Sequence, residues 1–288
     1  MIWVIFALLG AFFDATYHML VKKYVNNVDK TLLASGSMYV GFIALILISL
    51  IKGIPTIGTQ FWLAVVMVSL LNIAIVMLAY RALQLTDLSL TLPMKAFSLV
   101  FVIFTSLIIL GEKPSDYGII GILLIFAGTY VLNISTINKS FFEPIKAIFT
   151  NKGVMLMLVS AFIMSISLNY DKMLVTNSDP FFGLAIETLI LGTCFLFYSI
   201  YKKKPVTETY KNNWKKFLLV GIIWVLIGIS MNLAYLTAIV PYAAAIKRVA
   251  ILIGVIYGGM LFKEKNMTMR IVGSLIIVAG VVLIVVMG

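Results

Sequence analysis

The sequence is poor in the residues that do chemistry in water. It has one cysteine, Cys194, and one histidine, His18. A lone cysteine excludes an intramolecular disulfide and a cysteine-based metal site, and a lone histidine excludes a multi-histidine one. Only 11% of the 288 residues are charged, and only 11 residues are acidic. An ordinary soluble domain has about 25% charged and about 45–50% apolar residues. Here 62% are hydrophobic, which excludes a soluble enzyme and a disordered chain. The 22 Lys and Arg give a net charge of +11. In so apolar a chain that surplus reads as membrane topology or an anion site, with no nucleic-acid partner.

Long apolar runs are what the sequence does have. A bilayer-spanning helix needs about 20 mostly apolar residues. Ten such runs fall at 2–22, 32–51, 61–83, 89–110, 117–134, 154–174, 180–201, 215–238, 241–262 and 268–287. The first contains Asp14 and has neither a basic leader nor a small-residue cleavage site after it. It therefore reads as a retained span and not a signal peptide. The longest break between runs predicts two halves, 1–135 and 154–288, joined by 136–153.

The halves repeat. At a shift of 150 Lys22, Asp29 and Pro55 meet Lys172, Asp179 and Pro205. At a shift of 152 Glu112-Lys113 meets Glu264-Lys265. The same shift superposes Ile119, Gly121, Leu123, Ile125, Ala127 and Gly128 on Ile271, Gly273, Leu275, Ile277, Ala279 and Gly280. Leu78-Ala79-Tyr80 meets Leu233-Ala234-Tyr235 at 155, so the second half lacks three residues near 84–90. Five spans per half is an odd number, so the second copy enters the membrane upside down. The expected fold is all-α, with ten transmembrane helices as two inverted five-helix repeats. Inverted repeats are a signature of secondary transporters, with the substrate near the midplane at the repeat interface.

Loop cations set orientation. One side collects sixteen Lys and Arg, the other three, and three lie inside spans. The rich side is expected to be cytoplasmic, with both termini outside, in a plasma membrane of prokaryotic type.

Charges inside spans are functional-site candidates by default, because each costs about 2.5–3.5 kcal/mol on insertion scales. Five stand out: Asp14, Lys95, Glu187, Lys247 and Arg248. Lys95 and Lys247 each precede their glutamate, Glu112 or Glu264, by seventeen residues. Each lies ~9 Å along its helix, and the helices start on opposite faces. The two ammonium groups therefore reach toward the midplane from opposite sides. Arg248 adds a planar fork for a phosphate or carboxylate. Three cations against two acids leave the interior one positive charge, which an anionic substrate would neutralise. Pairing with Asp14 and Glu187 is the structural alternative. Asp14 and His18, four apart on one face, are candidates for carrying a coupling proton. Glu187 is a gate, an ion-coupling residue or a counter-ion to Arg248. Tyr80 and Tyr235 line the pathway or anchor at the interface. No cofactor or metal is expected.

The two five-span halves, each with an acidic residue after its fourth span (Gly111-Glu112, Lys263-Glu264), resemble the EamA domains of the drug/metabolite transporter superfamily. Met94-Lys95-Ala96 and Ile246-Lys247-Arg248-Val249 are similar to motifs of its phosphate-translocator branch, and in part of its nucleotide-sugar transporters. In the phosphate translocators a fourth-helix lysine and a ninth-helix Lys-Arg pair hold the substrate phosphate during antiport. The resemblance implies that role for Lys95, Lys247 and Arg248, and more loosely a site role for Tyr235.

The expectation is a secondary carrier, monomeric or homodimeric, for a small anionic metabolite, driven by exchange or an ion gradient. Two alternatives keep the fold: an exporter of amino acids or neutral metabolites, and a flippase for a lipid-linked phosphate. A membrane enzyme lacks any nucleophile or metal constellation beside Asp14 and His18.

Overall fold

The computed structural model describes residues 1–25, 27–86, 88–134, 143–262 and 267–288. The described residues hold thirteen helices. The first half carries α1 (Ile2–Tyr24), α2 (Lys30–Lys52), α3 (Phe61–Leu85), α4 (Leu88–Ala96), α5 (Ser98–Leu110) and α6 (Asp116–Ile134). A short α7 (Glu143–Ala147) follows, then α8 (Lys152–Thr176), α9 (Phe182–Tyr201), α10 (Val206–Tyr235), α11 (Val240–Lys247), α12 (Val249–Phe262) and α13 (Met267–Met287).

Among the described residues seven apolar stretches are long enough to cross a membrane: α1, α2, α3, α8, α9, α10 and the run Pro93–Leu110 that α4 and α5 share; Asp116–Leu132 and Val272–Met287 are shorter apolar helices. A 23-residue helix such as α1 is about 35 Å long, against a hydrocarbon core of about 30 Å. Large side chains turn outward, among them Ile108 at 81% and Val286 at 69% exposure. In water such a surface would aggregate; in lipid it is the solvated face. The protein is a multi-pass, all-α integral membrane protein. α10 begins at Val206, ahead of the expected 215, because its first turns are polar and exposed around Lys211 and Lys215.

The repeat has a local physical cause at Asp29 and Asp179. Asp29 Oδ1 accepts from the backbone N–H of Thr31 (2.9 Å) and Leu32 (3.2 Å), and so caps α2. Asp179 Oδ1 accepts from the N–H of Phe181 (2.9 Å) and Phe182 (2.6 Å) at the start of α9. Lys204 Nζ also donates to both Asp29 oxygens, at 2.9 and 2.8 Å. Partial burial pushes the Asp29 carboxyl up, but the hydrogen bonds from Lys204, Thr31 and the two backbone N–H groups outweigh it and hold it at about 2. Asp29→Ala is expected to cost about 1 kcal/mol, the usual loss of a cap. The folded carboxyl sits below its ordinary value, so its contribution is complete above 3.8 and disappears as pH falls through about 2. Melting curves of wild type and variant should differ near neutral pH and converge at about that acidity.

Partners are nested across the two halves: α1 packs on α10, α2 on α9, and α3 on α8. α2 also meets α10 and α3 meets α9; α4 and α5 meet α8, and α11 and α12 meet α1. Exchanging the halves maps this set of pairings onto itself. The tightest meeting is α6 on α13. A Cβ on Gly121 would stand 2.9 Å from Gly280 O, and one on Gly128 2.7 Å from Gly273 O. The reverse approaches are 2.6 Å for Gly280 and 2.9 Å for Gly273. Here glycine is required because backbone meets backbone with no room for a side chain.

Candidate functional site

Two apolar runs that read as single spans are broken. α4 ends at Ala96 and α5 begins at Ser98; α11 ends at Lys247 and α12 begins at Val249. At the first break Phe97 N–H donates to Met94 O (3.2 Å) and Val100 N–H to Phe97 O (3.0 Å). At the second Arg248 N–H donates to Ala245 O (3.0 Å) and Ile251 N–H to Arg248 O (2.9 Å). Both are tight i→i+3 turns within an otherwise α-helical run, a geometry associated with hinges. Pro93 lies inside α4, four residues ahead of the break and not at it.

The interior cations gather at these breaks. Lys95 is exposed, although Met94 and Ala96 beside it are fully buried. It lies within electrostatic reach of Arg248. Arg248 Nη2 donates to Ser98 Oγ at 2.5 Å, and Ser98 Oγ donates to Lys95 O at 2.9 Å. Ser98 is fully buried. One serine therefore ties the break in the first half to the break in the second. Lys247 Nζ lies 3.5 Å from Asp14 Oδ1, and His18 Nε2 lies 3.7 Å from Asp14 Oδ2. The His18 side chain is 71% exposed. Tyr235 is buried, within electrostatic reach of Arg248, Asp171 and Glu112.

Two candidates lie elsewhere. Tyr80 is stacked under Lys30, whose Nζ is 3.9 Å from the ring centroid. Glu187, 7% exposed, is joined to an amide and not to Arg248. Its Oε1 accepts from Asn72 Nδ2 (2.9 Å), whose Oδ1 accepts from Ser167 Oγ (3.2 Å). Ala243, Ala244 and Ala245 are buried in the core and fill space there.

The structure adds residues that sequence reasoning passed over. Asp171 on α8 lies within electrostatic reach of Lys247, Glu187 and Tyr235. In the sequence it abuts Lys172 near a span end and looks like half of an interfacial pair. Its four-residue spacing from Ser167 was the available signal. With Asp171 included the interior holds three acids, Asp14, Asp171 and Glu187, against three cations. The expected surplus of one positive charge becomes a balance when all are ionised.

Glu112 forms a second polar centre. Its Oε1 meets Lys172 Nζ at 2.5 Å, and its Oε2 accepts from Ser106 Oγ (2.9 Å) and Val240 N–H (2.7 Å). Lys172 Nζ also donates to Ala238 O at 2.6 Å. Glu112 thus caps the start of α11 from outside, and Lys247 stands at that helix's other end. Glu264, the repeat mate of Glu112, lies outside the described residues. Among the described residues no group of three or more His, Cys, Asp or Glu could hold a metal ion.

Ammonium and guanidinium groups at two helix breaks tied through Ser98 have the chemistry to hold an anion. Comparison with known proteins bears on the chain as a whole. A sequence model of the EamA-like transporter family matches residues 1–134 and again 151–286. None of the curated proteins matches the chain. A solved crystal structure, described only as that of a protein, is similar to it with a TM-score of 0.78 at 15% identity. The match covers 98% of this chain and 95% of the other, and shows the fold alone. With both halves matched, the chain belongs to the EamA-like transporter family, within the drug/metabolite transporter superfamily, and is a membrane transporter of small molecules and not an enzyme.

Proposed function

We propose that this transporter is a secondary carrier for a small anionic organic metabolite, with phosphate the favoured anionic group, working by alternating access. The observation that carries the reading is that Ser98 joins Arg248 to the Lys95 carbonyl across the two breaks, with Lys247 3.5 Å from Asp14 beside them. In this reading the chain crosses the membrane ten times as two inverted repeats, 1–135 and 154–288, with 136–153 between them and both termini outside the cytoplasm. The packing that survives exchange of the halves supports that symmetry. Lys95 and Lys247 supply point charges, and Arg248 supplies a fork held by Ser98. Asp14 is the resident counter-ion that yields Lys247 to the substrate, with His18 beside it, and Tyr235 lines the site. The local likeness to phosphate translocators supports phosphate over other anions. The balance of three acids and three cations favours a second reading, an amino acid or other net-neutral substrate of the same fold.

Thermal unfolding of the purified protein separates the two. The panel is inorganic phosphate, sugar phosphates, nucleotide sugars, prenyl phosphates and neutral amino acids. A ligand at 100 times its dissociation constant adds about 2.7 kcal/mol. Stabilisation by a phosphate ester, lost in Lys247→Ala, is the expected result. Stabilisation by neutral amino acids alone, unchanged in Lys247→Ala, would overturn the anion reading.

A further inference from the structure

We propose that Glu187 and Asp171 form one shared proton site, and that binding of an anion at Lys247 draws one proton onto the pair, so that anion and proton cross together. The proposal rests on the anion reading above. It starts from a placement that the substrate site does not explain. Glu187 is 7% exposed on a membrane-crossing helix, and no cation among the described residues pairs with it. Its partner is Asn72 of α3, which Ser167 of α8 holds in turn. Asp171 stands one turn beyond Ser167 on the same face of α8, about 6 Å along the axis. The line Glu187, Asn72, Ser167, Asp171 therefore crosses three helices and ends within electrostatic reach of the cation that the anion is to use.

The groups that face this pair are few. Asp171 is faced by Lys247 from α11, the Tyr235 hydroxyl from α10 and Glu187 from α9. α5 has no charged residue, and the only one in α4, Lys95, meets Arg248 and His18. Glu187 is faced by Asp171 and by Asn72. α3 has no charge before Arg81. α2 has none between Lys30 and Lys52, and its Tyr39 is engaged with Thr193 Oγ1 at 3.1 Å. Lys247 is thus the only cation among the described residues that compensates Asp171, and it is shared with Asp14.

The coupling follows from that sharing. Without substrate Lys247 offsets Asp14 and Asp171. An anion bound at Lys247 competes for the same charge and leaves two neighbouring carboxylates in a low-dielectric interior, where both cannot stay ionised. One proton from the water on the open side adds to a carboxylate oxygen of the pair. With that proton bound, three cations face two ionised acids, and the interior carries one positive charge for the anion to cancel. When the site opens to the other side, the anion leaves, Lys247 returns to Asp171, and the proton departs into that water. One anion and one proton have moved in the same direction.

Proton counting tests this directly. Inorganic phosphate is titrated calorimetrically into purified protein near neutral pH, in two buffers of different ionisation heat. This gives protons taken up per phosphate bound. Protonation of phosphate itself is common to wild type and variants and cancels in the difference. Wild type is expected to take up about one proton per phosphate more than Glu187→Gln, and more than Asp171→Asn. Two variants are used so that one failing to fold leaves the other. Phosphate binding with equal uptake in wild type and a folded variant would overturn the coupling and leave the anion reading standing. Failure of phosphate and every phosphate ester to bind wild type would overturn both.

Discussion

Glu112→Ala is expected to destabilise the protein by about 3–5 kcal/mol, the loss found when one partner of a buried ion pair is removed. Lys172 and Glu112 have side-chain exposures of only 17% and 12%. Without the carboxylate, Lys172 keeps only the Ala238 carbonyl, and Val240 N–H loses its cap. Glu112→Gln retains an acceptor for one of these donors and should lose less. Pairing Glu112→Gln with Lys172→Met removes the stranded charge and should recover part of the loss, since a well-packed apolar pair often equals a buried ion pair. Thermal unfolding in detergent ranks the three variants. If Glu112→Ala melted with the wild type, the centre would hold nothing together. Because Glu112 also fixes the start of α11, the variants should slow transport even at temperatures where they stay folded.

Gly128→Leu should be at least as damaging. Overpacking a core costs about 1–3 kcal/mol when side chains can adjust. At this seam the obstacle is Gly273 O, backbone, 2.7 Å from where a Cβ would stand, and backbone cannot turn aside. The expected loss is therefore above about 3 kcal/mol, read as little monodisperse protein on size exclusion. Gly254 is the control. Among the described residues a Cβ there meets nothing within 4 Å. Gly254→Ala should be neutral or gain up to about 1 kcal/mol from helix propensity. Equal behaviour of Gly128→Leu and Gly254→Ala would mean that α6 and α13 do not meet as described.

Much of this arrangement could be read from the chain, because the bilayer imposes a simple rule. Apolar runs had to be helices, and charges inside them had to be paid for. Lys95, Lys247 and Arg248 stood out on that ground, as did the glycines of α6 and α13 through their repetition. What escaped notice was neutral or disguised. Ser98 and Asn72 are small polar residues of a kind that membrane helices carry for many reasons, and their partners lie 150 and 115 positions away. Asp171 hid behind Lys172. The breaks at Phe97 and Arg248 escaped because neither residue is a helix breaker. The hydrogen bond from Arg248 to Ser98 joins the two turns across the halves, and hydropathy is blind to it. Glu187 was noticed as a charge, but its partner was misjudged, because pairing arguments look for opposite charge and Asn72 has none.

The nested packing has a consequence for how the molecule is made. The chain emerges from its N-terminus, and the long first-half helices find their main partners only in the second half. α8 is the first such partner to appear, closing on α3. α9 then closes on α2, α10 on α1, and α13 last on α6, in the order of synthesis. Until then the early helices must wait in lipid as separate insertions, with polar faces such as Asn72 unanswered. The long helices of the first half thus depend on the second for their main contacts. Translation finishes assembly from the inside outward, and the glycine seam is the last joint to close.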